Sequence, residues 1–139
     1  MERIIRTRKE VKIMTENDFP KDLFYDKGNS WVKVDGNVAS IGLNAKAAKK
    51  VKEFVFIKLP EKGKKIKKGE NYVSLEAVKW SGHLPSPVSG EIIDVNESLF
   101  DEPSKINNDP YDSWIMKVEM ESSSEIKSLM KAKEASENL

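Results

Sequence analysis

The sequence predicts a mostly β fold with minor α content, built as a small β-sandwich or flattened barrel with helices at its periphery. Short runs that alternate apolar and polar residues recur along the chain, and residues 72–78 are the clearest, with Val73, Leu75 and Ala77 on one side. Turn residues separate these runs, as Gly82 and the two prolines after it do. Two similar strand units therefore lie back to back, and we expect packed sheets that hold a hairpin between them.

A hairpin and a short helix open the order of elements. Asp35 and Gly36 interrupt two alternating runs within residues 30–41, and an Asp-Gly pair in this setting is a strong hairpin signal. Asn44 is a good N-cap, and the apolar residues after it recur at helical spacing, which predicts a helix over 44–54. The lysines of this helix would form its solvated face.

Further strands and a terminal helix complete the order. Residues 55–59 are typical of a strand, and a turn and a lysine-rich loop follow. The hairpin over 72–95 places residues 79–82 at its crown, and an irregular segment then leads to a final strand at 114–118. Residues 122–125 form a capping box, which predicts a C-terminal helix.

The order of elements divides the chain into three segments. They are an N-terminal extension over 1–18, a β domain over 19–120, and a C-terminal helix over 121–139 that packs on the same domain and has Met130 on its apolar face. The extension lacks the apolar core of a secretory signal, and its acidic residues are atypical of an organelle transit peptide. No apolar run approaches the length of a membrane span. We therefore expect a cytoplasmic protein.

The composition argues against an enzyme. The 139 residues include no cysteine, which excludes disulfides, thiolate metal sites and cysteine nucleophiles, and His83 is the single histidine. The chain has neither a glycine-rich phosphate loop nor a GxSxG elbow. The formal net charge is +1, so we expect no broad electrostatic attraction to nucleic acid or to a membrane.

Lys79 is the candidate site residue. It stands at the crown of the predicted hairpin, where a lysine is exposed, unpaired and reachable. The motifs Glu76-Ala-Val-Lys79 and Ser86-Pro-Val-Ser-Gly-Glu-Ile92, with Asp109-Pro-Tyr111 downstream, resemble the lipoyl hairpin region of glycine cleavage system H proteins. The resemblance covers roughly residues 23–133, and the joint spacing of these motifs is far more specific than any one of them.

The resemblance implies a lipoyl/biotinyl-type hybrid-motif fold that carries lipoate as an amide on Lys79. It also implies a carrier that shuttles the aminomethyl intermediate of glycine between the P and T proteins and presents its dihydrolipoyl arm to the L protein. A lipoate ligase or transferase would attach the cofactor, with Glu76 helping it to recognise the hairpin and Gly90 permitting the tight return. The protein is expected to be a monomer without catalytic residues of its own. The arm would bring the sulfur that the sequence lacks, and its tether would keep the cargo at high effective concentration.

Two acidic positions of the family pattern are replaced in this chain. The family usually carries an acidic residue just before the tryptophan that aligns with Trp31, where this chain has Ser30. It usually carries another acidic residue four positions after the modified lysine, where this chain has His83. In the family these positions line a cleft that can hold the loaded arm, and an ammonium group favours a carboxylate partner. We therefore expect the chain either to hold a loaded arm weakly or to carry a different cargo.

Two alternatives to glycine cleavage follow from these departures. One is an H-like lipoate-binding protein of a heterodisulfide-reductase-like sulfur oxidation system, whose enzymes would be its partners; the other is an unmodified scaffold. A biotin carrier is disfavoured, because Val78 and Trp80 flank Lys79 where biotin carriers usually have methionines. Trp80 is either an apolar face for the arm or a docking enzyme, or a rim aromatic packed on Leu84. His83 is either a proton-exchanging group beside the arm or a solvated loop residue.

Overall fold

Two antiparallel sheets run through residues 18–139, the part of the chain that the computed structural model describes. The strands are β1 (Phe24–Tyr25), β2 (Ser30–Asp35), β3 (Val38–Leu43), β4 (Phe54–Lys58), β5 (Lys65–Ile66), β6 (Asn71–Ala77), β7 (Trp80–Pro85), β8 (Gly90–Val95) and β9 (Met116–Met120). The larger sheet has the order β1-β2-β3-β9-β8-β5, and the smaller has the order β4-β6-β7. The two sheets do not close into a barrel over these residues, so the predicted mostly β fold is confirmed in its open, sandwich form.

Short helices join and flank the strands. They are α1 (Ala45–Lys49), α2 (Ser98–Asp101), α3 (Lys105–Asn108), a 3-10 helix (Ser123–Ser128) and α4 (Ala132–Asn138). No helix in the described range combines the length and the apolar character that a membrane crossing requires. The predicted N-terminal extension, residues 1–18, lies outside the described residues except for Asp18.

The helix predicted over 44–54 begins where expected and ends early. Asn44 caps it as predicted, because its side chain accepts the backbone N–H three residues on at 2.8 Å. The helix has only five residues. The Asn107 side chain then forms hydrogen bonds with the backbone groups that follow. That amide donates to the Val51 carbonyl at 3.0 Å and accepts the Phe54 N–H at 2.9 Å. Because these groups are satisfied outside the helix, the chain is free to enter β4.

The prediction of one continuous C-terminal helix is wrong. The 3-10 helix and α4 are separated at Met130, which forms an isolated antiparallel bridge with Tyr25. The two residues exchange both backbone hydrogen bonds at 2.8 Å. This pairing spans most of the chain, so no local pattern could indicate it. The predicted final strand at 114–118 is likewise displaced to Met116–Met120, and the segment predicted as irregular contains α2 and α3.

The apolar core lies between the two sheets and fixes the β6–β7 hairpin. It contains Ile41 and Val118 from the larger sheet and Ile57 and Leu75 from the smaller one, and all four are fully buried. Leu75 lies in the middle of β6, so the hairpin is anchored to the core well before it reaches its turn. The fold therefore holds the turn at the end of a packed support.

Candidate functional site

Lys79 lies in a two-residue turn between β6 and β7. Ala77 and Trp80 pair across the hairpin, so Val78 and Lys79 alone form the turn. Val78 is 84% exposed, and Lys79 is exposed as the sequence predicted. The predicted crown over residues 79–82 is too long, because β7 already begins at Trp80. Within the described range, Lys79 forms no ion pair.

Trp80 joins the strand because its ring has partners in the smaller sheet. The indole lies edge-on to the buried ring of Phe54, with centroids 5.8 Å apart. It also covers Gly82, where an added Cβ would lie only 2.8 Å from the indole. Gly82, predicted as a turn residue, is thus a strand residue that makes room for the tryptophan. Trp80 remains 44% exposed, so it forms a fixed aromatic surface beside Lys79.

An open groove of about 600 Å³ begins at Lys79. One wall consists of the hairpin turn and Trp80, and the other consists of residues 50–53, which connect α1 to β4. Val51 gives this second wall an apolar surface, and Glu53 is its only carboxylate. A long acyl chain on the Lys79 amine would have apolar surface within reach on both walls.

His83 lies on the other face of the hairpin. Side chains alternate along a strand, so His83 points away from the side that Trp80 occupies. It stands opposite Ser74 in the β6–β7 register, and the Ser74 Oγ lies 2.9 Å from the His83 Nδ1. The exposed ring is therefore anchored by a side-chain hydrogen bond, and it takes no part in the groove beside Lys79.

Ser30 is fully buried and is bonded to a tyrosine. Its Oγ lies 2.8 Å from the hydroxyl of Tyr72, which is distant in sequence. Alternation along β6 would place Tyr72 on the face opposite Val73 and Leu75, but a register shift between Asn71 and Val73 turns it inward. Burial raises the pKa of Tyr72, so this hydroxyl stays neutral. The Ser30 hydroxyl is thus committed to a structural hydrogen bond.

Asp26 supplies a carboxylate beside Ser30 that no sequence motif indicated. Its Oδ1 accepts the Ser30 N–H at 2.9 Å, and burial raises the pKa of this carboxyl. The same loop packs closely on the end of β7, because an added Cβ at Gly28 would lie 2.4 Å from Pro85. The available signal was the Asp-Lys-Gly-Asn stretch at 26–29, since aspartate often accepts a backbone N–H in such turns.

The site as a whole presents the exposed Lys79 amine on an apolar support. Among residues 18–139, no group of histidine, aspartate and glutamate side chains is arranged to hold a metal ion. Lys79 is presented by a packed hairpin, and the side chains that support it are apolar rather than acid–base groups. This arrangement leaves the Lys79 amine open to solvent.

Comparison with known proteins gives one consistent family. The family model of the glycine cleavage H-protein matches residues 23–139. A probable glycine cleavage system H protein of Aeropyrum pernix is 43% identical over 111 residues, which cover 79% of this chain and 78% of that protein. The glycine cleavage system H protein of Staphylococcus saprophyticus is 40% identical over 119 residues, with coverage of 85% and 94% respectively.

The fold agrees with these sequence matches. The crystal structure of a glycine cleavage system H protein from Mycobacterium marinum matches with a TM-score of 0.76 and 28% identity, covering 84% of this chain and 94% of that chain. Members of this family are lipoyl carriers and do not catalyse a reaction themselves. The chain belongs to the glycine cleavage H-protein family.

Proposed function

We propose that this H protein carries lipoate on Lys79 and shuttles the aminomethyl group of glycine between the P and T proteins, with the L protein as its third partner. The observation that carries the proposal is the position of Lys79. Its amine lies in an exposed two-residue turn and has no ion-pair partner among the described residues. An amine in this position is open to an acylating enzyme.

The residues around Lys79 fit a long acyl group. Trp80 and Phe54 fix the root of the turn, so the amine is presented from a stable position. Acylation replaces the ammonium charge with a neutral amide, and the side chain can then rest in the apolar groove without burying a charge. Lipoate bound in this way supplies a dithiolane for group transfer and redox chemistry.

The proposal also includes the enzyme that attaches the cofactor. A lipoate ligase or transferase attaches the cofactor and recognises the hairpin partly through Glu76, which is exposed and lies opposite Ser81 next to the turn. The proposal includes a cytoplasmic location and a monomeric chain, and a monomer leaves the turn that bears Lys79 open to each enzyme.

Modification of Lys79 is tested by intact mass and peptide mapping. The chain is expressed with a lipoate ligase and lipoate, beside Lys79→Arg and the matched control Lys52→Arg on the other wall of the groove. We expect a lipoyl increment on the wild type and on Lys52→Arg, and none on Lys79→Arg, since a guanidinium cannot form this amide. A lipoyl group on the Lys79→Arg chain would refute the assignment.

A second candidate is carriage of sulfur in a heterodisulfide-reductase-like oxidation system. The observation that favours it is that Ser30 and His83 replace two expected acids and are already bonded to Tyr72 and Ser74. Reconstitution of the lipoylated chain separates the two functions. A glycine-dependent mass increase with P protein supports glycine cleavage, whereas loading only by an inorganic sulfur donor supports the second candidate.

A further inference from the structure

The large exposed apolar side chains of the described residues lie on elements that contact one another. The large ones that are substantially exposed are Val55, Phe56, Val78, Trp80 and Phe100, at 43–84%. All of them lie on β4, on α2 or at the Lys79 turn and the residue after it. Isolated exposed apolar residues are ordinary, but grouped ones mark interaction sites.

A β-bulge produces part of this exposure. The register of β4 with β6 shifts between Phe54 and Phe56, so Val55 is an extra residue in an edge strand. Phe54 is buried, whereas Val55 and Phe56 are both exposed, at 54% and 43%. Regular alternation would turn one of two neighbouring residues inward. The bulge instead directs two apolar side chains to solvent, a device that is common beside functional sites.

Phe56 and Phe100 form an aromatic pair on this surface, which we call the aromatic ledge. Their ring centroids lie 6.3 Å apart with planes at 71°. Leu99 is fully buried and anchors α2, while the next residue, Phe100, is 60% exposed. Phe56 lies opposite Glu76, which is two residues before the turn. The ledge is therefore fixed in place close to the base of the Lys79 arm.

The rim of the ledge carries more carboxylates than lysines. Glu76 lies beside Phe56 across the strands, and Glu97 and Asp101 line an open groove of about 450 Å³ next to Phe100. These three exposed carboxylates form no ion pair with any residue in the described range. The groove also contains Lys62, and Lys58 follows at the far end of β4. Unpaired acids around exposed aromatic rings favour a partner with the opposite charge.

We propose that the aromatic ledge is a docking surface for an enzyme that receives the Lys79 arm. The partner presents an apolar pocket for Phe56 and Phe100, ringed by lysines or arginines that face the acidic rim. Continuity with the arm supports this occupant, since an enzyme seated on the ledge has its active site within reach of the turn. The inference rests on the proposed function, because it requires an arm on Lys79.

The test uses the full lipoylated chain with the P, T and L proteins assayed separately. Phe100→Ser removes the ring, and Asp101→Lys reverses the rim charge at an exposed position. Asp35→Lys, at the exposed end of β2, is the control with the same charge change. We expect at least one enzyme to show a KM for the carrier that is raised about tenfold by Phe100→Ser and by Asp101→Lys, with kcat unchanged. Asp35→Lys should leave both constants at the wild-type values.

The ionic strength gives an independent readout. For the affected enzyme, KM of the wild type should rise with added salt, and this rise should be smaller for Asp101→Lys. The docking proposal is overturned if all three enzymes show the same KM for the Phe100→Ser and Asp101→Lys carriers as for the wild-type carrier. That result is distinct from failure of the proposed function, in which the wild-type chain itself is not lipoylated or is not loaded by P protein.

Discussion

The indole of Trp80 lies edge-on against the ring of Phe54, with centroids 5.8 Å apart and planes inclined at 66°. Phe54 is 1% exposed and belongs to the core, whereas Trp80 is the residue that directly follows Lys79. The contact therefore connects the root of the candidate arm to the packed interior. The backbone at the base of the arm is therefore held in place, and only the acylated side chain has to move between active sites.

Removal of the Trp80 ring should loosen the turn. Trp80→Ala deletes the edge-to-face contact with Phe54, and we expect a loss of about 1–2 kcal/mol in the free energy of unfolding. Trp80→Phe keeps a ring at this position and should lose less than half of that amount. Urea unfolding measures both changes, and faster hydrogen exchange of the Ala77 and Trp80 amides in Trp80→Ala would localise the effect. Equal stability of the two variants would contradict this role.

Gly90 is required by close packing rather than by the tight return that the sequence predicted. It lies within β8, and an added Cβ would approach the Glu119 carbonyl oxygen to 2.1 Å. The obstacle is the backbone of the neighbouring strand, so Gly90→Ala should destabilise the protein by about 3 kcal/mol. Gly36→Ala is the control, since Gly36 has φ +65° and open space around it, and should lose only about 1 kcal/mol through backbone strain. Thermal and urea unfolding measure both losses. A smaller loss of stability for Gly90→Ala than for Gly36→Ala would contradict the packing argument.

The hydrogen bond between Ser30 and Tyr72 should behave as a buried coupled pair. Ser30→Ala leaves the buried Tyr72 hydroxyl without its partner, and we expect a loss of about 1–3 kcal/mol. Tyr72→Phe leaves the Ser30 hydroxyl in the same position. The double variant Ser30→Ala/Tyr72→Phe should be more stable than the sum of the single effects predicts, because no unpaired group remains. A double-mutant cycle measured by urea unfolding tests this, and strict additivity would exclude the coupling.

The Asp26 carboxyl should make stability depend on pH. Burial raises the pKa of this group in the folded state above its ordinary value of 3.8, so the native protein holds the proton to higher pH than the unfolded chain does. Its contribution is therefore favourable at low pH and is lost as pH rises through the folded pKa. Asp26→Asn cannot titrate and keeps an oxygen acceptor for the Ser30 N–H.

The measurement is urea unfolding of wild type and Asp26→Asn between about pH 4 and about pH 7. The stability of Asp26→Asn relative to wild type should improve as pH rises. A difference that stays constant with pH, or that changes in the opposite direction, would show that burial does not control this carboxyl.

Local patterns predicted the elements whose cause is local. The Asp35–Gly36 turn and the Asn44 cap appear where the sequence places them, because each depends on residues a few positions apart. The exposure of Lys79 was also predictable, since the alternation of β6 sets the hairpin and the following turn residues end it. The early end of α1 was not predictable from the sequence, because it depends on hydrogen bonds from the distant side chain of Asn107.

The sequence by itself determined the mostly β class, the hairpin that presents Lys79 and the family resemblance that points to a lipoyl carrier. Only the tertiary structure decided that Ser30 is buried and hydrogen-bonded to Tyr72. It also decided that the Trp80 ring packs on Phe54, and that a bulge turns two apolar residues of β4 outward. The physical reason is that alternation and turn chemistry act between neighbours in the chain. Strand register and burial depend instead on contacts between distant segments, and these form only when the two sheets pack together.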